Sequence, residues 1–171
     1  IYGLSYGGYI VLRGAIFDER VKACIANPGW LDMYTFFRKG LPTFTHNMSM
    51  ENAAKILGFS TRFWKLGEFA VDCFKMIYGV STPLEIFETM KQYNNRGLEH
   101  KITCPLLLLA GEGEGDELMG QQRALLANVQ SPIKKLHIFK EAEGADAHCI
   151  TNNLMYHSQV IFDWLDEVFA P

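Results

Sequence analysis

The sequence has no long apolar run and little net charge, and each of these absences excludes a class of protein. A helix that spans a membrane needs about 20 consecutive apolar residues, and no stretch of the 171 residues comes near that length. A net charge of −3 gives no basic surface for nucleic acid or for an anionic membrane. We therefore expect a soluble globular protein that binds neither nucleic acid nor membrane.

Cysteine is also scarce, and its spacing excludes the common structural uses of that residue. The four cysteines are Cys24, Cys73, Cys104 and Cys149, and no two of them form a C-x-x-C pair. Cysteines scattered in this way indicate neither a disulfide framework nor a zinc site. We expect reduced thiols, a cytoplasmic location and no bound metal, and we interpret Cys149 as a small packing residue.

The most informative stretch is the Gly-x-Ser-x-Gly motif at residues 3–7, which is followed by Gly8. A serine at the tip of a sharp turn from strand to helix has a strained backbone, and only small neighbours fit around it. We expect Gly3 and Gly7 to lie where the strand and helix backbones crowd, and Gly8 to let the helix pack closely. The motif makes Ser5 a candidate nucleophile.

The residues after the serine are typical of such a turn. The apolar stretch from Tyr9 to Ala15 predicts a helix that starts at the motif and runs to about Phe17. The N-terminus of this helix would direct backbone N–H groups at a developing oxyanion. The N–H of Tyr6 is therefore the candidate oxyanion donor.

Only Ile1 and Tyr2 precede the motif, although a buried parallel strand is expected there. A parallel sheet that is buried on both faces cannot stop at that point without leaving backbone groups unpaired. We expect further strands from an N-terminal segment or from another chain, and a homodimer is one such arrangement. We also expect residues 1–171 alone to be insoluble, molten or assembled through that edge, and inactive.

The other apolar stretches alternate between strand and helix character. Residues 21–26, 105–110 and 134–139 predict strands, and residues 118–129 predict a helix. A closing amphipathic stretch predicts a last helix, with Leu154 and Trp164 on its buried side. Strands separated by helices indicate an α/β fold with a mostly parallel sheet.

Residues 30–98 interrupt this alternation with many aromatic residues at helical spacing. They predict an all-helical cap over the carboxyl ends of the strands, with most of the aromatic side chains in its core. The core domain would then comprise residues 1–29 and 99–171. Because ligands of open α/β sheets bind at the carboxyl ends of the strands, we expect Trp30, Tyr34 and Phe37 to line a substrate pocket.

A histidine and an acid follow the later strands. A serine hydroxyl needs an imidazole to take its proton, and a carboxylate to fix the tautomer of that imidazole. His148 follows the last predicted strand, whereas His137 lies inside that strand and His157 inside a helix. Since a parallel sheet brings strand ends to one edge, His148 is the candidate base.

The acid has two candidates in the glycine-rich loop at residues 111–117. Glu114 lies three residues after the glycine that ends the strand, which is the usual place of the acid in folds with this motif. Asp116 lies two residues further along, and aspartate is the more usual residue type. Both stay candidates, and Glu114 is slightly favoured.

The order serine, acid, histidine is that of the α/β-hydrolase triad. Several parts of the chain together resemble two groups of enzymes. These parts are the serine turn at residues 3–7 (the elbow), the loop that begins at Gly111, and residues 143–149, 152–154 and 162–169. These are the fungal polyketide-shortening hydrolases of pigment biosynthesis and the bacterial 2,6-dihydroxypseudooxynicotine hydrolase. The resemblance implies the α/β-hydrolase fold. This chain would form the C-terminal part of its mostly parallel sheet, with a helical cap as an insertion. It also implies Ser5 as nucleophile, His148 as base, and no metal or other cofactor.

The same resemblance implies a reaction and a class of substrate. Members of this group cleave a carbon–carbon bond next to a ketone. We therefore expect cleavage of such a bond, or of an ester, in a small aromatic or polyketide-like molecule.

Two other hypotheses stay open. The elbow also resembles that of prolyl-oligopeptidase-type serine peptidases, whose catalytic domains usually lack a large helical cap at this place. The other hypothesis is a non-catalytic hydrolase-like binding protein or an inactive fragment. The presence of both Ser5 and His148 weighs against a degenerate site.

Overall fold

The computed structural model describes residues 1–170, and its β-strands form one parallel sheet. The strands are β1 (Tyr2–Leu4), β2 (Cys24–Asn27), β3 (Leu106–Gly111) and β4 (Lys134–Phe139), and they lie side by side in chain order. Each neighbouring pair is parallel. The parallel sheet predicted from the alternation of strands and helices is therefore confirmed.

The chain forms two compact units. The first contains Ile1–Leu31 and the chain from Asn95 onward, and it holds the sheet with helices α1 (Tyr6–Phe17), α6 (Asp116–Asn128) and α7 (Leu154–Phe169). The second is Asp32–Asn94 and holds helices α2 (Met33–Gly40), α3 (Met50–Ser60), α4 (Lys65–Tyr78) and α5 (Pro83–Met90).

Helices cover both faces of β3, and for this reason every residue of the strand is buried. Leu106 and Leu108 point to one face, where they pack with Leu12 of α1 and Leu125 of α6. On the other face Leu107 and Leu109 pack in a cluster with Ile161 and Trp164 of α7. A strand covered on both faces reads as a continuous apolar run, as this one does.

Several element boundaries differ from the sequence-based prediction. Strand β2 begins three residues later than predicted, because its ladder with β3 starts at Cys24, whose N–H donates to the carbonyl oxygen of Pro105. Helix α6 begins two residues earlier, at Asp116. Leu154 was predicted to be buried but is 59% exposed, because the buried cluster on α7 starts only at Tyr156.

The three glycines in and directly after the serine motif differ in whether the structure has room for a side chain. A Cβ atom on Gly3 would overlap the carbonyl group of Gly7, and one on Gly8 would overlap the carbonyl oxygen of Pro28. A Cβ atom on Gly7 would have no neighbour within 4 Å. The predicted close packing is thus found at Gly3 and Gly8. At Gly7 the structure leaves room for a side chain, so the prediction that this position excludes one is wrong.

The second unit is helical, as the spacing of its aromatic residues predicts. Its core contains Val71, Ile86, Phe87 and Met90, with Phe37 packed against them. The expectation that most of its aromatic side chains are core is only partly met. Five of the twelve aromatic residues of this unit are more than half exposed: Phe44, Phe59, Phe63, Trp64 and Phe69.

Strand β1 forms one edge of the sheet, and apolar side chains at this edge are accessible. Ile1 is 53% exposed and Leu4 is 48% exposed. The expectation of further strands concerns this edge. Within residues 1–170, no helix has the length and apolar character needed to cross a membrane.

Candidate active site

Ser5 occupies a sharp turn between β1 and α1. Its backbone has φ 51° and ψ −123°, which lies outside the regions that residues with side chains usually adopt. Its N–H donates to the carbonyl oxygen of Asn27 at 2.7 Å, which extends the β1–β2 ladder by one bond. The positive φ is the backbone geometry expected of a nucleophile elbow.

His148 lies in the loop after β4, and its ring contacts two side chains. Its Nε2 is 2.9 Å from Oγ of Ser5. Its Nδ1 is 2.8 Å from Oε2 and 3.0 Å from Oε1 of Glu114. The structure therefore brings together the ends of β1, β3 and β4, as expected for a parallel sheet.

These contacts determine where the protons lie. An ionised carboxylate can only accept hydrogen bonds, so Nδ1 of His148 carries a proton and donates it to Glu114. In the neutral ring Nε2 is then an acceptor, and it receives the hydroxyl proton of Ser5. This is the arrangement in which an imidazole can take a proton from serine.

The loop after β3 directs Glu114 at the histidine. The strand ends at Gly111, a short 3₁₀ turn covers Glu112–Glu114, and only 5% of the Glu114 side chain is exposed. Its Oε1 also accepts the backbone N–H of Cys149 at 3.3 Å. A Cβ atom on Gly111 would overlap the carbonyl oxygen of Asp146, so the glycine permits this loop to pack against the histidine loop.

Asp116, the other acid candidate, is placed differently. It is the first residue of α6, where a negative charge interacts favourably with the helix dipole. Of the two candidates, Glu114 contacts the imidazole, and no hydrogen bond between Asp116 and His148 occurs within residues 1–170. The residue type favoured aspartate, but the turn at residues 112–114 brings Glu114 to the imidazole.

The pKa of His148 is well above its ordinary value. The side chain of Cys149 and the hydrogen bond with Glu114 raise the pKa of His148 to about 10, and burial opposes this rise only in part. The Cys149 thiol donates its hydrogen bond to the carbonyl oxygen of Asn27, at 3.4 Å. Of these two residues, Glu114 is the one whose side chain is hydrogen-bonded to the ring, through Nδ1.

Tyr6, the predicted oxyanion donor, is the first residue of α1. Backbone N–H groups in the first turn of a helix point out of its N-terminal end, where the partial charge is positive. Its N–H follows Ser5 directly, which is the position that an oxyanion donor occupies at a nucleophile elbow.

The three predicted pocket residues lie in two different settings. Trp30 is buried in the first unit, and its ring lies edge-on to His148 with 6.5 Å between ring centroids. Tyr34 and Phe37 pack inside the second unit, Tyr34 against Phe87 and Phe37 against Phe74. Phe37 also lines an apolar cavity of about 300 Å³ within that unit.

Two residues next to this site carry no motif, and the sequence did not point to them. Asn27 is fully buried at the end of β2, one residue beyond the strand predicted over 21–26. His157 is buried on α7, and its Nε2 lies 3.0 Å from Nδ2 of Asn27. A polar residue at the carboxyl end of a predicted parallel strand is the one signal that could have identified Asn27.

Comparisons with known proteins show what this chain is similar to. No protein-family model matches the sequence. The chain is 31% identical over 184 residues to the hydrolase LUC6 of a Fusarium species, and 29% identical over 188 residues to the 20-hydroxy-prefusarin hydrolase FUS2 of Gibberella moniliformis. Each alignment covers 99% of this chain but 43% of the relative, so the chain spans less than half the length of these curated relatives.

A solved structure gives the same result for the fold. The crystal structure of the 2,6-dihydroxy-pseudo-oxynicotine hydrolase matches 99% of this chain with a TM-score of 0.64 and 22% identity, and the match covers 39% of that protein. The predicted resemblance to fungal hydrolases and to this enzyme is confirmed. The chain therefore has the fold of the α/β hydrolases and is similar in sequence to these fungal hydrolases.

Proposed function

We propose that the protein is a serine hydrolase in which Ser5 is the nucleophile, His148 the general base and Glu114 the acid that orients it. One observation carries the proposal: a continuous chain of hydrogen bonds runs from Oγ of Ser5 through the His148 ring to the Glu114 carboxylate. Half of the His148 side chain is exposed while that of Glu114 is nearly buried, so the reactive end is open and the orienting end is sheltered.

The first half of the reaction uses these groups directly. Oγ of Ser5 bonds to the carbonyl carbon of the substrate, and its proton passes to Nε2 of His148. The carbonyl oxygen becomes an oxyanion, which the N–H of Tyr6 stabilises at the positive end of α1. Glu114 stabilises the imidazolium that forms at this stage without taking its proton.

The second half returns the proton and frees the enzyme. As the tetrahedral intermediate collapses, the bond to the leaving group breaks, and Nε2–H of His148 protonates that group. A water molecule then gives a proton to His148 and attacks the acyl group on Ser5. As the bond between Oγ and the acyl carbon breaks, Nε2–H of His148 gives its proton to Oγ, which releases a carboxylic acid and restores the serine hydroxyl.

We propose an ester, or a ketone with a second carbonyl group, as the substrate class, in an aromatic or polyketide-like molecule. A carbanion can leave only if an adjacent carbonyl group stabilises it, so cleavage of a carbon–carbon bond requires a β-diketone-like arrangement. Two similar proteins are named as hydrolases of small organic molecules, 20-hydroxy-prefusarin and 2,6-dihydroxy-pseudo-oxynicotine. The Trp30 ring lies edge-on to the His148 ring, with 6.5 Å between centroids, so an aromatic side chain borders the proposed base.

A panel of substrates tests this proposal. The protein carrying this sequence at its full length is incubated with aryl esters, aryl β-diketones and proline-containing peptides, with Ser5→Ala as the control. We expect ester or diketone cleavage by the unmodified protein and none by Ser5→Ala. Turnover confined to proline-containing peptides would favour the peptidase hypothesis, and no turnover on any substrate would favour the non-catalytic one.

A further inference from the structure

We propose that Asn27 is a positioning residue of this site, which holds the turn at Ser5 and the turn after His148 in register by hydrogen bonds to both. The inference rests on the proposed function, because it concerns how the nucleophile and the base are aligned. Asn27 ends β2 and has no exposed surface, so it lies beneath the reacting groups and does not touch the substrate.

The site contains two backbone turns that need such support. Among the non-glycine residues of the described chain, positive φ occurs at Ser5 (51°), Cys149 (57°) and Ile150 (55°). Such backbone is unfavourable for residues with a side chain and persists only where the surroundings hold it. One of these turns carries the nucleophile, and the other directly follows His148.

Asn27 bonds to both turns. Its carbonyl oxygen accepts the N–H of Ser5 at 2.7 Å and lies 3.4 Å from Sγ of Cys149, which donates to it. Its side-chain Nδ2 donates to the carbonyl oxygen of Cys149 at 3.3 Å. The main chain of Asn27 therefore fixes the serine turn, and its side chain adds a bond that clamps the turn after His148.

The side-chain amide is itself held in one orientation. Nδ2 of Asn27 lies 3.0 Å from Nε2 of His157, and the hydroxyl of Tyr2 lies 2.9 Å from the same nitrogen. An amide NH₂ can only donate, so Nε2 of His157 accepts, and the Tyr2 hydroxyl donates as well. A reversed amide would direct its oxygen at the Cys149 carbonyl oxygen, which can only accept, so the bond to Cys149 sets the orientation of the amide.

Burial keeps these groups in the protonation states that the network needs. It lowers the pKa of His157, which favours the neutral acceptor ring. It also raises the pKa of Tyr2, which favours the hydroxyl as a donor. His157 thus acts on the site through Asn27, from a helix that packs against the opposite face of the sheet from α1.

The rate at which Ser5 reacts with a fluorophosphonate probe tests the proposal without a known substrate. In this reaction Oγ bonds to phosphorus, fluoride leaves, and the serine proton passes to His148. We compare His157→Leu, which removes the acceptor, with His157→Gln, whose side-chain oxygen can accept the same two bonds. His137→Leu is the matched control, because His137 packs on β4 against Phe139 and Tyr156 and has no hydrogen bond to Asn27.

We expect His157→Leu to lower the maximal rate kinact by about 10- to 100-fold, the range that misplacement of a reacting group by up to 1 Å produces, with KI little changed. His157→Gln should restore most of kinact, and His137→Leu should leave it unchanged. An unchanged kinact in His157→Leu, or an equal loss in both His157 variants, would overturn the positioning role while labelling of the unmodified protein still supports the hydrolase.

A second variant covers a failure of His157→Leu to fold, which loss of cooperative melting would show. Asn27→Asp keeps the size of the side chain but replaces its donor by an acceptor, so it should lower kinact in the same way. A normal kinact in Asn27→Asp would contradict the proposal. If the unmodified protein is not labelled at Ser5 at all, the proposed function fails and the positioning role fails with it.

Discussion

Nδ1 of His148 lies 2.8 Å from Oε2 of Glu114, and the two side chains differ tenfold in exposure, 50% against 5%. A nearly buried carboxylate has few orientations, whereas a half-exposed ring can meet a substrate. The carboxylate that accepts the Nδ1–H bond is thus the more sheltered of the two. This contact supplies the most direct predictions about the site.

Replacing each acid candidate by its amide should separate them. In Glu114→Gln an NH₂ donor can face the Nδ1–H donor, so the ring loses the tautomer that serves as a base. We expect kcat to fall by up to about 10⁴-fold, as the equivalent change does in serine proteases. Asp116→Asn, at the first residue of α6, is the matched control and should leave kcat unchanged. Small and equal effects of the two changes on kcat would remove both acids from the mechanism.

The same contact predicts the pH dependence of activity. His148 acts as a base only when Nε2 is unprotonated, and its pKa is raised from 6.5 to about 10. The acidic limb of kcat/KM should therefore have its midpoint well above that of an ordinary histidine. Glu114→Gln removes the negative partner, so the midpoint of its residual activity should move to lower pH. A midpoint that stays the same in this variant would show that Glu114 does not set the pKa of His148.

Stability should depend on pH in the same region. A histidine whose pKa is higher in the folded than in the unfolded state stabilises the fold when it is protonated. For His148 this contribution is complete below pH 6.5 and is lost as the pH rises towards about 10. In urea unfolding, the unmodified protein should therefore have a higher free energy of unfolding than Glu114→Gln near pH 6.5. This difference should shrink as the pH rises towards about 10. A difference that grows with pH would contradict the account.

Replacement by alanine should change the free energy of unfolding differently at Gly7, which ends the serine motif, and at Gly8, which follows it. A Cβ atom at Gly8 would overlap the carbonyl oxygen of Pro28, whereas one at Gly7 meets no atom within 4 Å. Gly8→Ala should lower the free energy of unfolding by about 1–3 kcal/mol or more, the usual cost of overpacking. Gly7→Ala should leave it unchanged or raise it by up to about 1 kcal/mol, since alanine favours a helix. Urea unfolding of the two variants measures this contrast, and equal destabilisation would contradict the explanation.

The sequence predicts the parts of this molecule that depend on local pattern. The apolar run at 105–110 identifies β3, and the glycine spacing identifies the turn at Ser5, because each reflects a burial or steric constraint on neighbouring residues. The choice between Glu114 and Asp116 depends on a single 3₁₀ turn, which the residue types do not reveal.

The contacts around Asn27 are beyond such reasoning. They join Asn27 to Cys149, 122 positions away, and to His157, 130 positions away. No periodicity in the sequence links these residues. The open position at Gly7 is a similar case. The motif indicates that small residues are needed, but only the packed backbone shows which glycine faces another chain segment.

The most direct test of the central claim is to find the residue that forms the covalent bond. The full-length protein is treated with a fluorophosphonate, and peptide mass mapping locates the adduct. The account predicts one phosphonyl group per chain, on Ser5, with none on Ser5→Ala and much slower labelling of Glu114→Gln. An adduct on another residue, or equal labelling of Ser5→Ala, would contradict it.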